Sequence, residues 1–143
     1  MYDFYCDWDV SCKSCSFGFK IMIKFIIQGC LPTLNEYTSA NRRNKYAGAK
    51  MKADTETLIA YHIETQLTEK ERLTGCFALE IDWYEKDSRK DFDNVAMAQK
   101  FVLDSLTACG IIPNDSRKYF TEMQHRIFVD KVCPRVEVRL IER

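Results

Sequence analysis

The sequence predicts a small α+β domain in which two helices cover one mixed β-sheet. Three observations carry this prediction. Four stretches have the β-branched composition or the alternation of apolar and polar residues that is typical of strands. In two other stretches apolar residues recur every three or four positions, as on the buried face of a helix. With 143 residues, the chain is long enough to bury a core without disulfides or metal.

The elements follow one another in the order β-α-β-α-β-β. They are a strand at 21–27, a helix at 48–68, a strand at 76–85, a helix at 93–108 and two strands at 118–130 and 132–141. The last two strands predict a closing β-hairpin. Gly110 has the position of a C-terminal cap for the second helix. We expect a turn-rich loop at 29–35, because Pro32 disfavours a helix there, with Asn35 as an initiator of the next helix or turn.

The net charge is zero, from 21 basic and 21 acidic side chains, and this balance excludes a general polycation. Charge is nevertheless unevenly distributed along the chain. The stretch 39–52 contains basic residues and no acid: Arg42, Arg43, Lys45, Lys50 and Lys52. The stretch 53–85 is strongly acidic. Such blocks are most often solvated faces of helices and loops, but they also leave a polyanionic partner open.

The first residues differ in composition from the rest of the chain. Asp3, Asp7 and Asp9 stand where a secretory leader would carry positive charge, so we expect a cytoplasmic protein with reduced thiols. No apolar run approaches the roughly 18 residues that a membrane helix requires. We expect residues 1–21 to be an extension of doubtful status, with Met22 as an alternative start, and residues 22–143 to be the folded domain.

Cysteines offer one alternative function. The chain has seven, an odd number, and three of them are close together near the start: Cys6, Cys12 and Cys15. The last two form a C-x-x-C pair of the kind found in zinc sites, and a fourth ligand would have to come from Cys30, His62 or His125. A zinc-binding interaction protein is therefore one hypothesis.

The densest polar segment is 86–94, at the end of the second strand and the start of the second helix. Asp91 and Asp93 flank one residue there, and both can turn to a common point where a hard divalent cation takes oxygen ligands. Asp115, after the second helix, is the candidate third carboxylate. In the structural alternative, Asp93 caps the helix and Asp91 pairs with Arg89 or Lys90.

The second helix adds a cation to this segment. At 100° per residue, Lys100 and Asp104 lie within about 20° of the face that carries Asp93. A lysine next to a metal site can stabilise the charge that develops on a phosphate or its leaving group. In the simpler alternative, Lys100 and Asp104 form a surface ion pair.

These motifs together resemble the RusA family of Holliday junction resolvases. The resemblance rests on Arg89-Lys90-Asp91-Phe92-Asp93-Asn94, followed by Lys100, Asp104-Ser105-Leu106, Gly110-Ile111-Ile112 and Asn114-Asp115. Leu31-Pro32-Thr33-Leu34-Asn35-Glu36-Tyr37 is similar to that family's N-terminal proline and asparagine motif. The resemblance covers essentially residues 22–143.

The resemblance implies a homodimeric endonuclease that depends on Mg²⁺, with Mn²⁺ as a substitute, and that cuts four-way DNA junctions in recombination and repair. It implies that Asp91, Asp93 and Asp115 hold the metal and that Lys100 is the essential lysine. One departure is clear, because the better-known motif has its lysine four residues after the second aspartate, where this chain has Met97. We favour a loop before the helix that absorbs the three extra residues and so restores the lysine.

A two-fold symmetric junction needs paired cuts, which a C2 dimer with two equivalent sites supplies. Contacts to DNA are expected from residues in the basic block, beside the carboxylates and in the asparagine motifs: Asn35, Arg42, Arg43, Lys45, Lys50, Lys52, Lys86, Arg89, Lys90 and Asn94. Besides the zinc hypothesis, the displaced lysine leaves a second alternative, a protein of the same fold that binds branched DNA with weakened or no catalysis.

Overall fold

The computed structural model describes residues 20–143, which form one four-stranded mixed sheet with helices on one face. The strands are β1 (Met22–Gln28), β2 (Phe77–Glu85), β3 (Phe120–Val129) and β4 (Arg135–Glu142). Their order in the sheet is β1-β4-β2-β3. β4 runs antiparallel to both of its neighbours, whereas β2 and β3 are parallel. The predicted α+β class with a mixed sheet is confirmed.

Four helices accompany the sheet in this part of the chain. They are α1 (Leu34–Arg43), α2 (Lys45–Gln66), α3 (Phe92–Ala96) and α4 (Gln99–Ala108). α2 corresponds to the predicted helix at 48–68 and begins three residues earlier. None of the helices among the described residues is long and apolar enough to cross a membrane.

α1 corrects the expectation of a loop that continues to Asn35. The helix begins directly after Thr33, and a capping box explains why. The Thr33 side chain accepts a hydrogen bond from the Glu36 backbone N–H, while the Glu36 carboxylate accepts one from the Thr33 N–H. Pro32 precedes the cap, so its missing N–H removes no helical hydrogen bond.

The predicted β-hairpin of the last two strands is wrong. β3 and β4 do not pair with each other, because β2 lies between them. The connection crosses the end of β2, where the Asp130 N–H donates to the Glu85 carbonyl at 2.8 Å. Alternation in sequence predicts which face of a strand is buried, but it does not predict which strand lies beside it.

The predicted helix at 93–108 is interrupted. It forms α3 and α4, separated by Met97 and Ala98. At the interruption the backbone hydrogen bonds span three residues, as in a 3₁₀-helix. The Lys100 N–H donates to the Met97 carbonyl and the Phe101 N–H to the Ala98 carbonyl. The prediction that Asp93 and Lys100 lie on one helix face assumed 100° per residue throughout. It therefore does not hold across this break.

The core lies between the sheet and the helices. Each strand contributes alternate apolar side chains to it, as the period of two predicts for β2: Phe77, Leu79, Ile81 and Trp83 are all buried. α4 contributes Phe101, Val102 and Leu106. The opposite face of the sheet carries paired charges instead.

Candidate active site at the end of β2

The candidate ligands Asp91 and Asp93 are exposed and lie at the start of α3, after the segment that follows β2. Asp91 occupies the N-cap position of α3, but its side chain makes no capping hydrogen bond. Asp93 lies in the first turn, where Oδ1 accepts the backbone N–H of Asn94 at 2.9 Å. Within residues 20–143 neither carboxylate forms an ion pair. Both carboxylates are therefore left without a basic partner, although Oδ1 of Asp93 already accepts one backbone N–H.

The neighbouring basic side chains pair with other acids. Lys90 points inward and its Nζ lies 3.0 Å from Oε2 of the buried Glu85. Burial by itself would lower the pKa of Lys90, but the hydrogen bond and charge of Glu85 outweigh it and raise that pKa. Arg89 pairs with Asp87 at 3.0 Å. The structural alternative, in which Asp91 pairs with Arg89 or Lys90, is therefore wrong.

Lys100 lies in the first turn of α4, after the interruption, and its side chain is 66% exposed. Its Nζ is 3.8 Å from Oδ2 of Asp104, so the predicted i,i+4 ion pair is present. Asp104 also lies 3.3 Å from Nζ of Lys52. Most of the Lys100 side chain is thus open to solvent and to a ligand.

Asp115 is an exposed residue of the loop between α4 and β3. The next residue, Ser116, is held near the start of β3, since its carbonyl accepts the Phe120 N–H at 2.9 Å. β2 and β3 are parallel, so the chain leaves β2 at one end of the sheet and enters β3 at the other. Among the residues that the structure describes, no three His, Cys, Asp or Glu side chains are close enough to hold a metal ion together. The role of Asp115 as a third ligand stays a prediction.

The two asparagine motifs meet in space. Oδ1 of Asn94 accepts the backbone N–H of Asn35 at 2.9 Å and so caps the first turn of α1. Asn94 was predicted to contact DNA, but its carbonyl oxygen is used within the protein. The hydrogen bond involves only the backbone of Asn35, whose own side chain lines a groove.

That groove lies between α1 and α2 and has a volume of about 730 Å³. Arg43 and Lys50 are among the residues that line it. The two helices approach closely at Gly48, where a Cβ would collide with the Asn41 side chain. The groove therefore begins at the asparagine motif and leads along the basic block.

The basic block divides into two groups. Arg42, Arg43 and Lys45 are exposed and form no ion pair within residues 20–143. Lys50 pairs with Asp54 at 2.7 Å, and its pKa is raised by that hydrogen bond. Lys52 bridges Glu56 and Asp104, which likewise raises its pKa. Lys86, beside the carboxylates, is also exposed and unpaired in this part of the chain.

A polar cluster around His125 lies beside Phe92, which stands between the two carboxylates, and no local pattern in the sequence predicts it. Trp83 Nε1–H donates to His125 Nδ1 at 3.0 Å, so the ring proton is on Nε2, which lies 2.9 Å from Oε1 of Gln99. Burial lowers the pKa of His125. Both ring nitrogens are thus engaged, which leaves His125 unsuited to zinc. Cys6, Cys12 and Cys15 lie outside the described residues.

The part of the chain that contains the candidate site matches a known protein family. Residues 30–141 match the family model described as Endodeoxyribonuclease RusA, and this range includes both asparagine motifs, the carboxylates and Lys100. The match places the chain in the class of endodeoxyribonucleases. Because it covers most of the sequence, the chain belongs to the RusA family. Among curated proteins none matches the chain.

Proposed function

We propose that this protein is a Mg²⁺-dependent endonuclease that resolves four-way DNA junctions by paired phosphodiester hydrolysis. The observation that carries the proposal is that Asp91 and Asp93 are exposed and free of basic partners, while the cations beside them, Arg89 and Lys90, are paired with other acids. Carboxylates arranged in this way fit a hard divalent cation, which prefers oxygen ligands.

In this proposal Asp91 and Asp93 hold the metal. Asp115 is included as a further ligand on the family resemblance alone, since no three such side chains lie together among residues 20–143. When bound, the metal supplies a Lewis acid that activates water and offsets charge on the phosphate. The Lys100 ammonium stabilises the charge that develops on the scissile phosphate or its leaving group, because an exposed cation can approach that phosphate directly. Mn²⁺ is expected to replace Mg²⁺, since it takes the same kind of ligands.

The basic residues hold the substrate. Arg42, Arg43 and Lys45, on the two helices that form the groove, contact backbone phosphates of one arm of the junction. The protein acts as a homodimer, because two equivalent sites related by a two-fold axis match the two-fold symmetry of the junction. Paired cuts in opposed strands then follow from one binding event.

The test is cutting of a synthetic four-way junction with Mg²⁺. Asp93→Asn should lower the rate by at least about 100-fold, because it removes a ligand charge from the metal, and it should still bind the junction. Asp87→Asn is the matched control, since Asp87 lies in the same segment but pairs with Arg89. Equal cutting by Asp93→Asn and wild type would overturn the assignment. Junction binding by wild type without any metal-dependent product would favour the binding protein of the same fold instead.

A further inference from the structure

Phe92 is an exposed apolar residue within the polar segment 86–94. It is the only apolar side chain between Lys86 and Asn94, it stands directly between the two proposed metal ligands, and it is 55% exposed. Val95, one turn later on α3, is buried, so the helix anchors itself without the Phe92 ring. An exposed ring at this point is not explained by packing of the core.

The ring is held in place although it is exposed. The His125 ring meets it edge-to-face, with centroids 6.3 Å apart and planes at 89°. His125 is itself fixed by hydrogen bonds to Trp83 and Gln99. Phe92 therefore rests on a ring whose own position is fixed by β2 and α4, while more than half of the Phe92 surface stays open.

The surroundings of Phe92 favour a nucleic acid base over another apolar ligand. Two basic residues of the same segment, Lys86 and Arg89, are exposed, and Arg89 pairs with Asp87. An exposed aromatic ring beside cations is the combination that proteins use to bind unpaired bases, since the ring stacks on the base and the cations contact the backbone. In plain duplex the base faces are covered by their neighbours, whereas a branch point interrupts the stack.

We propose that Phe92 is a stacking platform for a DNA base that is unpaired or unstacked at the branch point, beside the scissile phosphate. The proposal deepens the function proposed above and rests on it. Stacking of this kind would give preference for branched DNA over duplex, and it would fix the phosphate next to the base relative to Asp91 and Asp93.

Binding measured in EDTA, where no cutting occurs, tests the proposal with three variants. Phe92→Leu keeps an apolar side chain but removes the aromatic face, whereas Phe92→Tyr keeps that face. Phe128→Leu is the matched control, because Phe128 is 41% exposed but lies on the open face of the sheet, stacked on Tyr84. Fluorescence anisotropy gives the Kd for a four-way junction and for a duplex of the same sequence.

The Kd of Phe92→Leu for the junction should rise by about 5- to 150-fold, the usual effect of removing one base stack, and its Kd for the duplex should change by less than about twofold. Phe92→Tyr and Phe128→Leu should bind the junction within about threefold of wild type. A junction Kd for Phe92→Leu equal to that of wild type would overturn the proposal, as would an equal loss on junction and duplex.

A second measurement locates the contact directly. Junctions with 5-iodouracil at each branch-point position are irradiated with the protein in EDTA, and the cross-linked peptide is identified by mass spectrometry. The expected result is a cross-link to Phe92 from branch-point positions only, absent in Phe92→Leu. Cross-links that spare residue 92 would overturn the proposal.

Cutting by the wild-type protein with Mg²⁺ is measured alongside and separates the two possible failures. If the wild-type protein neither binds nor cuts the junction, the proposed function and the stacking proposal fall together. If it binds and cuts while Phe92→Leu binds equally well, only the stacking proposal falls.

Discussion

Two sets of acids on one continuous segment of chain differ sharply in their partners. Asp82 lies on the face of β2 opposite the helices and is buried beneath arginine side chains. Its carboxylate lies 2.7 Å from Nε of Arg126 and 3.0 Å from Nη2 of Arg139. Glu80 shares the same two arginines. Asp91 and Asp93, a few residues further along the chain, form no ion pair in the part that the structure describes.

The difference shows how acids that stabilise a fold can be separated from acids that are available for chemistry. Asp82 is enclosed by fixed positive charge, so its contribution is to hold β2, β3 and β4 together. A carboxylate without such charge gains most from an added cation. What distinguishes the two sets is therefore whether each acid has a basic partner. The acids on the sheet are paired with arginines, and the acids of the candidate metal site are not.

The largest effect on stability should come from Asp82→Ala. Removing this carboxylate leaves Glu80 to compensate both arginines alone, and we expect the free energy of unfolding to fall by about 2 kcal/mol, less than for a fully broken buried pair because Glu80 remains and Arg126 is partly exposed. Urea denaturation followed by circular dichroism measures it. Asp93→Ala, the matched change at an unpaired acid, should stay within about 0.5 kcal/mol of wild type. Equal losses in the two variants would contradict the distinction.

Lys100→Ala should lower the rate of junction cutting by about 100-fold, because it removes a cation that acts on the transition state. Single-turnover kinetics with saturating protein isolate this step from binding. Asp104→Asn breaks the same ion pair from the other side, together with the pair to Lys52, and we expect it to change the rate by less than about threefold, since neither pair acts on the transition state. If both variants behave alike, Lys100 is only a partner of Asp104.

The two groups within the basic block should differ in the salt dependence of binding. Replacing Arg42, Arg43 and Lys45 by Gln should reduce the slope of log K against log salt by about 0.9 for each phosphate contact that is lost. Replacing Lys50 and Lys52 by Gln should change the slope less per residue, because acids already neutralise these lysines. Junction binding in EDTA at several salt concentrations gives both slopes. A larger change in slope per residue on replacing Lys50 and Lys52 would contradict the assignment of Arg42, Arg43 and Lys45 as the main phosphate contacts.

Much of this architecture could be predicted from local pattern. The alternation in 76–85 correctly predicted the buried face of β2, and the helical spacing in 48–68 predicted α2 to within a few residues. The start of α1 was also encoded locally, since Thr33 and Glu36 have the spacing of a capping box. The predicted loop therefore ends at the cap, Thr33, and not at Asn35.

The rest depends on contacts between distant parts of the chain. The order of the strands is set by how α3 and α4 return the chain to the far side of β2, which alternation does not encode. Trp83 and His125 are more than 40 residues apart, so their hydrogen bond has no local signature. The break at Met97 and Ala98 is likewise hidden, because Val95, Ala98 and Val102 continue the apolar spacing through it.

Mn²⁺ binding followed by electron paramagnetic resonance tests most directly whether the unpaired carboxylates hold the metal. Wild type and Asp87→Asn should bind Mn²⁺ alike, whereas Asp93→Asn should bind it at least about tenfold more weakly, since it loses a ligand charge. Circular dichroism and junction binding in EDTA confirm that the variants are folded. Equal Mn²⁺ affinity in Asp93→Asn and wild type, or an equal loss in Asp87→Asn, would contradict the assignment of the metal site to Asp91 and Asp93.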